Sequence, residues 1–219
     1  VQRAHPQDSS PIHLAARGGL DAVVRELLAR GASAKADDYW GSPLHFAAKH
    51  GHASTMSLLL QAGADPNAHA RDHQFTPLHA AVIERHLEAV RVLIRAKADL
   101  DAKDDDGSTP LHWGGYAYRP GKVHMYEEMG QPHGIMYRDR GPAEAMELLL
   151  DAGARIEARD GEGNTPLHAA AQVGSMRGVE MLLSRGARRG ATNHAGQTAA
   201  DIALERGDKA IAQLLRGAP

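Results

Sequence analysis

Histidine is the side chain with which this sequence is best supplied for chemistry. There are fourteen, and an imidazole titrating near neutrality suits both proton transfer and metal ligation. Their spacing supports neither. His69 and His73 stand four apart with no third ligand nearby in sequence, whereas a catalytic metal needs three protein ligands and a supporting shell. The stretch 115-GYAYRPGKV-123 carries the glycines and lysine of a phosphate-cradling loop. Its interval from Gly115 to Gly121 is one residue too long, and Val123 stands where a hydroxyl is required. The run 104-DDDG-107 opens like a calcium loop but lacks the downstream Glu. There is no G-x-S-x-G, no H-E-x-x-H and no cysteine, which excludes thiolate nucleophiles and cysteine zinc sites. The sequence therefore predicts no catalytic residue, no metal and no cofactor.

Five of the histidines share a setting that points elsewhere. His13, His45, His79, His112 and His168 are each the fourth residue of one motif: SPIHLAA from Ser10, SPLHFAA from Ser42, TPLHAAV from Thr76, TPLHWGG from Thr109 and TPLHAAA from Thr165. A decayed copy, TAADIAL, begins at Thr198, and the intervals are 32, 34, 33, 56 and 33 residues. The outlier is one period enlarged by 23. A second apolar segment follows each motif, as in 21-DAVVRELLARGA and 143-AEAMELLLDAGA. Each unit reads as helix, turn, helix and polar hairpin. Ser or Thr caps the first helix and Pro occupies its first turn. A stripe such as Val23, Val24, Leu27 and Leu28 marks the second helix. Gly31, Gly63, Gly153 and Gly186 supply the left-handed residue that ends it. Lys97 replaces that glycine in the third unit, which predicts a strained or differently shaped end there. No helix pair buries its stripe alone, so the units must stack.

The motif and its period resemble those of the ankyrin-repeat family, for which T-P-L-H-x-A recurs about every 33 residues. The resemblance spans residues 8 to 218 apart from the enlargement. It implies an all-α solenoid of stacked helix-turn-helix units with short β-hairpin tips, forming one domain over 1–219. The repeats fall at about 10–41, 42–75, 76–108, 109–164 (with an insertion at about 116–140), 165–197 and 198–219. It further implies that the motif histidines bond the capping Thr and the adjacent hairpin backbone, and that His52 and His86 are turn residues. Asp201, Arg206 and Gln213 give the last unit the wetter outer face of a cap.

The remaining composition mostly excludes. With 25 basic and 27 acidic residues, the charge gives no argument for nucleic acid or a membrane surface, and no apolar run is long enough to span a bilayer. The abundance of Arg over Lys, and of Ala, points to a high-GC bacterial source. The absence of cysteine leaves the compartment open between cytoplasmic and periplasmic or secreted. A start at Val1 suggests an upstream segment, such as a targeting one.

Binding is the function the resemblance implies, through hairpin tips and first-helix residues on a concave face. Carried over position by position, these include Tyr39, Trp40 and Phe46 with Lys49; His73, Gln74, Phe75, Ile83 and Glu84; Asp105, Asp106, Ser108, Trp113 and Tyr116; and Glu162, Asn164, Gln172 and Val173. Both Trp and both Phe of the chain fall in this set, and aromatics favour interface hot spots. For Phe46 and Trp113, packing between repeats is the competing reading.

The enlargement opens where the motif's Ala-Ala becomes Gly114-Gly115, which predicts that the first helix of repeat four ends early or bends there. It holds Tyr116, Tyr118, Tyr126 and Tyr137, four of the five tyrosines, with Met125, Met129 and Met136. Flexible linkers are not built this way. We expect a compact loop that extends the binding surface. The leading reading is thus a non-catalytic scaffold, monomeric when free, for a protein partner, including an inhibitor or immunity-type role. A second reading places a metal or small ligand on His124, Glu127, Glu128 and His133. A third makes the chain one arm of a larger enzyme.

Overall fold

The computed structural model describes residues 9–115 and 143–217. Among them run twelve helices in six consecutive pairs: α1 Pro11–Arg17 with α2 Asp21–Ala29, α3 Pro43–Lys49 with α4 Ala53–Gln61, α5 Pro77–Ile83 with α6 Leu87–Arg95, α7 Pro110–Gly115 with α8 Ala143–Asp151, α9 Pro166–Val173 with α10 Met176–Ser184, and α11 Ala199–Glu205 with α12 Lys209–Arg216. Each first helix packs on the first helix of the next pair, and each second helix on the next second helix. The result is the all-α stack the period predicts. The core repeats like the sequence: Val24, Leu59, Leu93, Leu149, Leu182 and Leu215 are buried on the second helices, and Ala47, Ala48, Ala81, Ala170 and Ala171 on the first. Small first-helix side chains let neighbouring pairs approach closely.

The motif histidines join one repeat to the next. The Nδ1 of His45, His79, His112 and His168 accepts the backbone N–H of its own cap residue at 3.0 to 3.2 Å. Nε2 therefore carries the proton. It donates to the carbonyl of the residue just before the following cap: Phe75 at 3.0 Å, Ser108 at 3.2 Å, Asn164 at 3.0 Å and Gln197 at 3.1 Å. In the last repeat no further hairpin follows among the described residues, and the acceptor-only carboxylate of Asp201 takes over the capping half of the task. Its Oδ2 accepts from the backbone N–H of Thr198 at 3.0 Å and its hydroxyl at 2.7 Å.

Hairpin length accounts for the uneven period. Asp38 and Gly41 pair around a two-residue tip, Tyr39-Trp40. Ala70 N–H bonds the Phe75 carbonyl around four residues, and Asp104, Asp160 and Asn193 bond Ser108, Asn164 and Gln197 around three. These loops of two, four, three, three and three residues reproduce the slips in the sequence. The tips carry isolated bridges rather than strands among the described residues.

Lys97 adopts φ 59°, in the left-handed region where Gly31, Gly63, Gly153 and Gly186 stand at its equivalents, so the expected strain is present. Gly114 has a packing use. A Cβ there would lie 2.4 Å from Cγ of Met146 on α8, so the glycine accommodates that side chain. The register resumes at Ala143, and the inserted segment lies outside the described residues.

Candidate functional site

The hairpin tips form a continuous backbone ladder along one edge of the stack. Asp72 N–H donates to the Tyr39 carbonyl at 3.2 Å, Asp105 N–H to His73 at 3.2 Å, Gly161 N–H to Asp106 at 2.8 Å and His194 N–H to Glu162 at 2.9 Å. Local carboxylates and amides shape each tip. Asp104 Oδ1 accepts the N–H groups of Asp106 and Ser108. Asp160 and Asn193 do the same for Glu162 and Asn164, and for Ala195 and Gln197. The four-residue tip is the strained one: His73 and Gln74 both take positive φ, 54° and 53°.

At the first end of the face, Tyr39 is exposed and its ring meets Trp40 edge-on at 5.1 Å. Its hydroxyl lies 3.3 Å from Asp72 Oδ1. His73 sits between two carboxylates, Asp72 at 3.7 Å and Asp105 at 3.5 Å. Further along, Phe75 meets Trp113 edge-on at 5.2 Å, and the Trp113 indole N–H donates to Asp104 Oδ2 at 2.7 Å. Burial pushes the Asp104 carboxyl up to about 6, aided by Asp106 and Asp105 and opposed by its bonds from Trp113 and Ser108. The motif histidines move the other way. Burial pushes His45 down to about 4 and His79 to about 3, and lowers His112 and His168 as well. Rings held neutral by burial and bonded at both nitrogens are poor proton carriers near neutral pH.

At the other end the face is polar. A shallow groove of about 180 Å³ is lined by Glu162, Gln172, Asn193, Gln197, Glu205 and Arg206, among others. Its floor is a chain of amides. Asn164 donates to Asp160 and Glu162, Asn193 donates to Asn164 and Gln197, and Gln197 donates to Glu205 at 2.6 Å.

Among the described residues no group of three His, Cys, Asp or Glu side chains is placed to hold a metal ion. His69 and His73 do not converge: His69 Nδ1 pairs with the Gln74 carbonyl, and His73 faces Asp72 and Asp105. No helix of the described residues is long and apolar enough to cross a membrane. The alternative ligands His124, Glu127, Glu128 and His133 lie outside the described residues.

The family model described as ankyrin repeats in three copies matches residues 2–70 and 135–218, and that for ankyrin repeats in many copies matches 59–112. The chain belongs to the ankyrin-repeat family. Among curated proteins, this ankyrin chain is similar to NF-kappa-B inhibitor zeta of Bos taurus, 26% identical over 183 residues that cover 80% of the chain and 21% of the relative. The Homo sapiens protein of that name is 25% identical over the same extent. GA-binding protein subunit beta-1 of Homo sapiens is 47% identical over 57 residues, 26% of the chain and 14% of the relative. The chain thus spans about a fifth or less of these relatives. All three are mammalian, and they lend no support to a bacterial source.

The ankyrin architecture distributes the sequence-predicted contact residues unevenly. Tyr39, Asp105 and Asp106 are exposed; Trp40, Phe46, His73 and Trp113 are half-buried. Phe75, expected at the surface, is 5% exposed. It occupies the position just before the cap, at the hairpin's base, where Ser108 and Asn164 are buried too, and it packs between Trp113 and His79. Lys49, Ile83 and Glu84 are half-buried. Tyr116, Tyr118, Tyr126 and Tyr137 lie outside the described residues. Sequence reasoning missed Leu14, 53% exposed at the helix register of Phe46 and Trp113; counting four residues from each cap would have found it. It also missed Asn193, Gln197 and Glu205, because the last unit was set aside as a cap.

Proposed function

We propose that the chain is a non-catalytic binding scaffold that takes up a partner protein along its hairpin tips and first helices, with the segment inserted between Gly115 and Ala143 adding selectivity. The observation that carries this reading is the Tyr39-Trp40 tip. Two aromatic side chains are set on a two-residue turn, with Tyr39 held in solvent where it contributes little to the core. Large rigid rings in such a place are what interface hot spots use. The bonded, neutral histidines support a structural rather than catalytic role. Two relatives are named as an inhibitor and as a subunit, which fits a protein that works by contact. An inhibitory role for this chain is a narrower form of the same proposal.

A paired affinity capture tests it. One bait is the intact chain; the other has residues 117–138 replaced by a short Gly-Ser turn and an unchanged helical circular dichroism spectrum. A protein retained by the first and lost by the second makes the insertion the selectivity element. Equal retention assigns recognition to the repeats alone. No protein retained over an empty support, across lysates that contain the source organism's proteins, overturns the scaffold reading.

A further inference from the structure

Three of the five large hydrophobic side chains exposed among the described residues, Leu14, Leu20 and Val23, lie on the first helix pair. Val23 is 45% exposed, three residues past the cap of α2. Its equivalents Thr55, Ala89, Ala145, Gly178 and Ile211 are all buried, and the Thr55 hydroxyl donates to Asp21 of the preceding pair. Leu20 stands at the cap itself. Its equivalents His52 and His86 donate from Nε2 to the carbonyls of Arg17 and Lys49 on the preceding first helix, at 2.9 and 3.1 Å. Leu14 stands at the register of Phe46, whose ring meets the preceding pair's His13 edge-on at 5.5 Å. Leu27 is half-buried, whereas Leu59, Leu93, Leu149, Leu182 and Leu215 at its register are buried. In later pairs these positions turn toward the preceding pair; on the first they form an apolar strip largely open to solvent. The far end of the stack is finished differently. Lys209 and Arg216 are exposed on α12. Lys209 stands at the register of Leu87 and Met176, and Arg216 at that of Leu28, Leu60, Ile94, Leu150 and Leu183. A terminal repeat needs such a polar outer face; the first pair has the apolar face of an interior repeat.

We propose that the outer face of α1 and α2 is an internal interface of the solenoid, covered in the natural polypeptide by one further helix pair of the same repeat directly ahead of α1. Continuity with the interface between the described pairs fixes the occupant. Helices α3 and α4 receive α1 and α2 respectively, and α1 and α2 would receive the further pair in the same way, with Leu14 against a first helix and Val23 and Leu27 against a second. A second copy stacked head to tail offers the polar Lys209 and Arg216 side instead. The row of first helices then continues past Leu14, and this holds whatever the tips bind.

The chain has no cysteine, so Val23→Cys places a unique thiol on this face and Arg25→Cys places one on the exposed side of α2. Maleimide labelling of each is timed in the 219-residue chain and in the same chain carrying the residues that the source gene encodes ahead of Val1, with the labelled position read by peptide mass. Upstream, a motif of the Thr-Pro-Leu-His type is expected about 33 residues before Ser10. The extension should slow labelling of Val23→Cys at least about tenfold and leave that of Arg25→Cys unchanged. A start codon or a sequence without the repeat within that span overturns the inference. So does a Val23→Cys thiol that labels equally fast in both proteins. Labelling of the 219-residue chain that slows as protein concentration rises, with a dimer in sedimentation, overturns it too, because the face then belongs to a second copy.

Discussion

Trp113 donates its indole N–H to the buried carboxylate of Asp104 at 2.7 Å, tying a first helix to the hairpin that precedes it. The Asp104 carboxyl lies at about 6 against an ordinary 3.8, raised first by burial. The fold therefore holds this proton more tightly than the unfolded chain does. The contribution to stability is fully present below about 3.8 and is lost as pH rises through about 6. Trp113→Phe removes the bond that best favours the ionised form. It should move the Asp104 midpoint higher still and cost about 1 to 2 kcal/mol at neutral pH. Carboxyl carbon shifts followed by NMR read the midpoint; titration near 4 in both proteins would defeat the burial account.

The bridging histidines set an opposite and larger pH dependence. His45 and His79 lie far below the ordinary 6.5, and His112 and His168 are lowered too, first by burial in each case. The unfolded chain takes up these protons before the folded one. Stability is thus present above about 6.5 and falls as pH drops toward 4. Below about pH 6, each fully buried ring contributes a slope of roughly 1 kcal/mol per pH unit. His45 and His79 alone outweigh Asp104, and His112 and His168 act in the same direction. Urea midpoints should change little from pH 7.5 to about 6.5 and fall increasingly from there to pH 5. A flat profile would mean that the rings stay accessible to protons in the folded chain.

His13 has the same motif position but a different circumstance. It is buried, its Nδ1 meets the Ser10 hydroxyl at 2.8 Å, and its Nε2 has no hydrogen-bond partner. By register that partner would be the Gly41 carbonyl, which the shortened tip commits to Asp38 N–H. Replacing His13 gives up the Ser10 hydroxyl bond but also removes a buried, unbonded Nε2, so the two effects offset, whereas breaking a satisfied bridge strands its partner. We expect His13→Leu to change stability by less than about 0.5 kcal/mol or to raise it, and His79→Leu to cost about 2 to 3 kcal/mol. Chemical denaturation of both variants gives the comparison; similar losses would show that the two rings do equal work.

These cases mark what was legible in the sequence. Thr-Pro-Leu-His at a steady interval identifies the helix pairs, because cap, proline and apolar stripe each act locally. The slips of one residue at Tyr39-Trp40 and His73-Gln74 were visible as numbers, but their consequences were not. Whether Gly41 meets His13, and whether Phe75 points out or in, depends on where a hairpin carbonyl lands on a neighbouring helix. The Asp104–Trp113 bond was hidden for the same reason. So was the amide chain from Asn164 to Glu205, whose members are ordinary polar residues until stacking aligns them.

Lys97 offers a test of strain rather than contact. A side chain at φ 59° costs about 1 to 2 kcal/mol, from which glycine's extra backbone freedom in the unfolded chain takes back part. Lys97→Gly should therefore stabilise the chain by about 0.5 to 1 kcal/mol. A lower urea midpoint would show that the Lys97 side chain makes a compensating interaction.

The binding proposal separates residues that bind from residues that fold. Tyr39 and Trp40 stand on a tip outside the core, so Tyr39→Ala with Trp40→Ala should leave the unfolding midpoint nearly unchanged. It should weaken a captured partner's affinity by at least about 2 kcal/mol, roughly thirtyfold. Phe75 was predicted from the same pattern but is buried against Trp113 and His79. Phe75→Ala should cost about 3 to 5 kcal/mol of stability, so its loss of binding would report unfolding rather than contact. Titration calorimetry on the tip variant, checked against its denaturation curve, decides the matter. Unchanged affinity there removes the aromatic tip from the binding surface.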